Sequence, residues 1–95
     1  MQHSLNSKQR KTLEAIFETP VRSDIAWVDI ESLFVSLGAT VRQGNGSRVR
    51  VALNNVRAVF HEPHPHKETC KCTVKDVRDF FTNAGVTPRW LDSNN

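Results

Sequence analysis

The chain has 95 residues, a mass of 10.8 kDa and a formal net charge of +3. This length predicts a single domain spanning residues 1–95, since two ordinary hydrophobic cores need more chain. A hydrophobic content of 38% excludes a disordered or low-complexity chain. No apolar run approaches the length of a membrane-spanning helix. The start of the sequence lacks the apolar segment of a signal peptide, which predicts a cytoplasmic protein.

Two amphipathic helices are predicted in the first half of the chain. The first begins with Ser7 as its cap, continues to about Glu18 and is stopped by Pro20. We interpret it as an N-terminal extension, residues 7–18, of a core that covers about residues 27–87. The second helix has apolar residues at spacings of three and four, and Gly38 is placed to end it. Its apolar positions are Trp27, Ile30, Leu33, Phe34 and Leu37.

The apolar period then changes to two, which predicts three antiparallel strands. Residues 40–42 form a short first strand, and residues 48–53 and 56–61 form a hairpin closed by Asn54 and Asn55. A two-residue turn places Arg48 opposite His61. One face of this hairpin is apolar, and the other is basic.

A third helix follows a polar connection in which prolines exclude helical structure. Thr73 and Asp76 resemble a capping box that opens this helix, and Gly85 ends it. The element order is therefore helix, helix, three strands, helix. It predicts an α+β fold in which helices cover one face of a three-stranded antiparallel sheet and leave the other face open.

From about Trp27 to Val86, the sequence resembles the HicA toxins of bacterial toxin–antitoxin pairs. The matching features follow one another in order and spacing: Leu37-Gly38-Ala39, the glycine turn into Gly46-Ser47, the hairpin leading to Pro63-His64, Lys67-Glu68, Thr73-Val74 and Asn83-Ala84-Gly85-Val86. The resemblance implies a fold like that of a double-stranded-RNA-binding domain. It also implies ribonuclease activity on messenger RNA that needs no metal or other cofactor, and neutralisation by a HicB-type antitoxin.

One residue departs from the family pattern at the position of the family's catalytic histidine. The family motif is Gly-Ser-His, whereas this chain has Gly46-Ser47-Arg48. An arginine stays protonated near neutral pH and cannot act as a general base. The chain is therefore either a ribonuclease that uses another base or a binding module of the same fold without catalysis.

Histidines near the end of the hairpin are the candidate proton-transfer groups. His61 opposes Arg48 and could reach the space of a histidine at position 48, with Arg48 holding the phosphate. His64 matches a histidine that recurs after the last strand in the family, so it is a second candidate. The alternative interpretation is that both are exposed residues at a strand end and in a loop.

The basic residues on and beside the strands predict contact with nucleic acid. Alternation places Arg48, Arg50 and Arg57 on the open face, with Arg42 beside them. The predicted RNA-binding set is Arg42, Ser47, Arg48, Arg50, Arg57 and Lys67. A solvated face and pairing with an acidic antitoxin surface are the alternatives.

The cysteines and the neighbouring histidines raise the question of metal binding. Cys70 and Cys72 are too close in sequence for an unstrained disulfide. Together with His61, His64 and His66 they supply enough nitrogen and sulfur ligands for zinc, but the spacing matches no zinc motif. We therefore predict no metal site and keep a zinc-dependent regulator as a third hypothesis.

Overall fold

The fold consists of three helices and five short strands within the described residues. The computed structural model describes residues 5–44, 46–62 and 67–88. The elements are α1 Ser7–Ile16, β1 Ile25–Ala26, α2 Trp27–Ser36, β2 Thr40–Gln43, β3 Arg48–Leu53, β4 Val56–His61, β5 Glu68–Thr69 and α3 Lys71–Ala84. They confirm an α+β fold with a three-stranded antiparallel sheet and an N-terminal helix. None of the helices in the described ranges has the length and apolar character needed to cross a membrane.

The three-stranded sheet has the order β2-β3-β4. Asn54 and Asn55 turn the β3–β4 hairpin with positive φ angles of 51° and 68°, which asparagine tolerates better than most residues. This turn sets the register in which Arg48 pairs with His61 and Val49 with Phe60, as the sequence predicts. The Asn54 side chain also donates to the carbonyl of Ala84 at 2.8 Å, which ties the hairpin tip to the end of α3.

The hydrophobic core lies between the sheet and the helices. Val49, Val51 and Leu53 of β3 point into it, while alternate residues of the same strand face away. Aromatic rings form its centre, with Phe34 of α2 in contact with rings from α2, β4 and α3. The sheet therefore has one covered face, and its other face carries the arginines.

The first helix packs into the same core. Leu13 and Ile16 are fully buried, in one apolar cluster with the residues of α2 and α3. The predicted cap was wrong: Asn6, and not Ser7, accepts from the backbone of Gln9 and forms a capping box with it. The helix ends at Ile16, two residues before the predicted end. Arg78 of α3 donates to the carbonyls of Ile16 and Glu18, so it holds this end of the helix.

The third helix begins earlier than predicted. Its cap is Cys70 and its first residue is Lys71, so the proposed capping box of Thr73 and Asp76 is wrong. The chain is extended at Thr69, where β5 pairs with β1, and it turns into the helix directly afterwards. The Thr73 hydroxyl instead lies 3.3 Å from the Cys70 sulfur. Gly85 ends the helix with a φ of 81°, as expected.

Candidate functional site

The segment that leads into β3 is held from two sides by backbone hydrogen bonds. The N–H of Gly44 donates to the carbonyl of Arg48 at 2.7 Å, and the N–H of Glu62 donates to the carbonyl of Ser47 at 2.6 Å. Gly46 has a φ of +67°, a conformation that favours glycine. These contacts fix the backbone of Ser47 and Arg48 and therefore the positions from which their side chains extend.

Arg48 and His61 form a directly opposed pair across the β3–β4 ladder. Both side chains are exposed, and both belong to the face of the sheet that the helices leave open. Directly opposed residues have Cβ atoms about 4.5–5.5 Å apart. A guanidinium and an imidazole can therefore contact the same small group, such as a phosphodiester.

The open face carries the other arginines in regular rows. Arg42 of β2 is paired with Arg50 of β3, and Arg50 is paired with Val59 of β4. The neighbouring row contains Arg57. These residues line a concave depression of about 680 Å³ together with Thr40, Ala52 and other strand residues.

The charges of these arginines are not neutralised within the described part of the chain. Within it, ion pairs join Lys8 to Asp29 and Arg22 to Glu18 and Asp24, and none involves the arginines of β2, β3 or β4. Those three strands contain no Asp or Glu. The open face is therefore an uncompensated basic surface, which favours an anionic partner.

Glu62 connects the end of β4 to the start of α2. Its Oε1 accepts from the indole N–H of Trp27 at 3.2 Å, and its Oε2 lies 3.5 Å from the side-chain amide of Gln43. Glu31 of α2 interacts with the same carboxylate. Partial burial raises the pKa of Glu31, and the charge of Glu62 and a hydrogen bond to it raise that pKa further. Sequence reasoning missed this group because its members are far apart along the chain.

The raised pKa of Glu31 predicts a loss of stability as pH rises. Between the ordinary glutamate pKa of about 4.3 and the raised value, the folded chain holds more protons than the unfolded chain. The free energy of unfolding therefore falls as pH increases through this interval. We expect Glu31→Gln to raise the melting temperature at neutral pH and to leave it nearly unchanged below the interval.

Thermal unfolding followed by circular dichroism over a pH series measures this effect. Glu14→Gln, an exposed change on α1, controls for the altered net charge. If Glu31→Gln and Glu14→Gln shift the melting temperature equally at every pH, the interaction between Glu31 and Glu62 does not affect stability.

The remaining candidate residues lie away from the open face or outside the described ranges. Lys67 is exposed, and its carbonyl accepts from the backbone of Trp27 at 3.2 Å, which places it near Glu62. His64 and His66 lie outside the described residues. Cys70 and Cys72 are exposed free thiols at the start of α3, and the hydrogen bond from Thr73 lowers the pKa of the Cys70 thiol.

The zinc hypothesis combined these cysteines with the histidines that precede them. Among the residues that the structure describes, no three His, Cys, Asp or Glu side chains come together in a group that could hold a metal ion. Zinc binding that includes His64 and His66 stays a hypothesis of the sequence.

The fold and the basic face define a small α+β protein with an open, arginine-bearing sheet. A family model described as the HicA toxin of bacterial toxin–antitoxin systems matches residues 27–86, which is more than half of the chain. The chain therefore belongs to the HicA toxin family, which confirms the resemblance in the sequence and implies an antitoxin partner. No curated protein and no solved structure matches it.

Proposed function

We propose that this toxin is a metal-independent endoribonuclease that cleaves messenger RNA and is neutralised by a HicB-type antitoxin. The observation that carries the proposal is the direct pairing of Arg48 with His61 on a basic face. Cleavage of RNA through its own 2′-hydroxyl needs a base, an acid and a positive charge at the phosphate, and this pair would supply the base and the charge.

The proposed reaction begins when His61 removes the proton of the 2′-hydroxyl. The 2′-oxygen forms a bond to phosphorus, and the bond from phosphorus to the 5′-oxygen breaks. A protonated group donates its proton to this leaving oxygen, and His64 is our candidate because it lies three residues after His61. The products are a 2′,3′-cyclic phosphate and a free 5′-hydroxyl.

Arg48 supplies the fixed charge in this mechanism. Its guanidinium presents planar donors that suit phosphate oxygens and stays charged throughout the reaction. Arg42, Arg50 and Arg57 contribute further phosphate contacts. Ser47, directly before β3, and Lys67, which lies away from the open face, are further proposed RNA contacts. In this mechanism, His61 takes the proton-transfer role of the family's histidine at position 48, and Arg48 binds the phosphate.

The test is a time course of a long messenger RNA with the purified protein in EDTA. We expect cleavage, with fragments ending in cyclic phosphate, and a matched loss of cleavage when the cognate antitoxin is added. Intact RNA throughout the time course would contradict the enzymatic proposal, provided that the same preparation still binds RNA.

A second candidate function is an RNA-binding or antitoxin-binding module without catalysis. The observation in its favour is Arg48 itself, because it occupies the family's catalytic position. This alternative predicts salt-sensitive RNA binding without turnover, so the same time course separates the two functions.

A further inference from the structure

We propose that the open face of β2, β3 and β4 binds single-stranded RNA whose backbone runs along the strand direction and ends at the Arg48–His61 pair. This inference rests on the proposed function for its choice of RNA as the polyanion. It adds the form of the RNA, its path across the sheet and the order in which the arginines meet successive phosphates.

The open face contains a directly opposed pair of like charges. Arg42 and Arg50 face each other directly across the β2–β3 ladder. Like charges in directly opposed positions destabilise a sheet, and no carboxylate of these strands offsets them. Stability of the free protein therefore does not explain the pair, whereas a phosphate between the two guanidinium groups would turn the repulsion into two attractive contacts.

The rows of arginines on the open face are regularly spaced along the strands. Arg57 lies in the row of Thr40 and Ala52, the Arg42–Arg50 pair lies in the next row, and Arg48 with His61 lies in the third. Successive rows on one face are two residues apart, or about 6.6–6.8 Å along a strand. This distance is comparable to the separation of neighbouring phosphates in an extended nucleic acid strand, so each row can meet one phosphate.

The basic surface is small. Three strands span about 10 Å across the sheet, and the rows with arginines span about 13 Å along it. Double-stranded RNA-binding domains contact a duplex over about 16 base pairs and reach two successive minor grooves. The arginine rows are far too short to do this, but they fit the backbone of a few unpaired nucleotides.

The residue types on the open face determine which part of the nucleotide it recognises. Phe60 is the one Phe, Tyr or Trp on the three described strands, and it is buried against the helices. The open face therefore lacks the aromatic side chains on which single-strand binders usually stack bases. Val59, which is 59% exposed beside Arg50, offers a small apolar contact instead. The open face consequently binds the phosphates of the RNA and tolerates different base sequences.

The experiment measures binding to a 2′-O-methyl oligonucleotide, which cannot be cleaved through its 2′-oxygen. A mixed-sequence strand of about 12 nucleotides, within the usual site sizes of single-strand binders, is compared with the blunt duplex formed with its complement. Affinities are measured over a salt series for the wild type, Arg50→Gln, Arg57→Gln and Lys75→Gln. Lys75 is exposed on α3 and lies off the open face, so its substitution removes the same charge elsewhere.

We expect the single strand to bind more tightly than the duplex. Each of Arg50→Gln and Arg57→Gln should reduce the slope of log K against log salt by about 0.7, the contribution of one phosphate contact in a single strand. Lys75→Gln should leave the slope unchanged. Equal or tighter binding of the duplex would overturn the inference. Arginine variants that behave like Lys75→Gln would also overturn it, because the arginines of the open face would then make no phosphate contacts.

This inference and the proposed function fail in different ways. Binding of the uncleavable strand in the expected manner, with no cleavage of ordinary RNA, would refute the ribonuclease and leave the binding path in place. Cleavage of ordinary RNA by variants that lack Arg50 or Arg57, at the wild-type rate and salt dependence, would leave the ribonuclease in place and refute the path.

Discussion

His61→Ala should lower the rate of RNA cleavage by about 100- to 10,000-fold, the usual contribution of a single general acid or base. In the proposed mechanism this imidazole takes the 2′-hydroxyl proton, and Arg48 cannot replace it because arginine stays protonated. The measurement is single-turnover cleavage of a labelled RNA in EDTA. Because His61 is exposed at the end of β4, its truncation should leave the melting temperature nearly unchanged.

The rescue variant Arg48→His in the His61→Ala background is the sharpest control. It restores the family's Gly-Ser-His sequence at a position directly opposed to residue 61, so we expect it to recover part of the lost rate. The single variant His64→Ala tests the proposed proton donor separately. If His61→Ala, His64→Ala and the double variant all cleave at the wild-type rate, the histidines of this strand end are not the catalytic groups.

Phe34→Ala should destabilise the fold more than any surface change considered above. Phe34 is fully buried, and its ring centroid lies 5.5–5.9 Å from those of Phe60, Phe80 and Phe81. Removal of a buried phenylalanine ring typically costs about 3–5 kcal/mol, because apolar contacts are lost and a cavity remains. Domains of this size are stable by about 5–15 kcal/mol. The variant should therefore lose a large fraction of the free energy of unfolding.

Denaturant unfolding at low temperature measures this cost. Val35→Ala is the matched control, because Val35 is the next residue of α2 and is 68% exposed. We expect the control to change the free energy of unfolding by less than about 0.5 kcal/mol, as is usual for surface substitutions. A similar effect of the two substitutions would mean that the aromatic cluster does not support the fold.

Much of the fold could be predicted from local patterns. The change of apolar period after Gly38 located the strands, and the Asn54-Asn55 turn fixed the β3–β4 register, because a two-residue loop leaves only one pairing. That register alone placed Arg48 opposite His61. Helix ends were less accurate. Asn6 was missed because Ser7 is an equally good capping residue by type, and Cys70 was missed because Thr73 is a better capping residue by type, whereas Cys70 begins α3 without a side-chain cap hydrogen bond.

Contacts between distant segments could not be predicted in the same way. The β1–β5 pair joins two strands of two residues each, which are too short to show any periodicity. Arg78 holds the carbonyls of Ile16 and Glu18 from a helix about 60 positions away, and nothing in its own neighbourhood marks that role. The interaction of Glu31 with Glu62 likewise depends on how α2 lies against the end of β4.

The open face shows most clearly which features the sequence determined and which ones the tertiary structure decided. Alternation along β3 and β4 determined from the sequence alone that Arg48, Arg50 and Arg57 share one surface, because successive strand residues point to opposite sides. Only the tertiary structure decided that Arg42 stands directly across from Arg50, because the register of β2 depends on a glycine turn whose geometry the residue types leave open. The physical reason is the distance along the chain over which the interactions act. Side-chain alternation is a property of one strand, whereas the position of a second strand is set by the hydrogen bonds and core contacts of the whole fold.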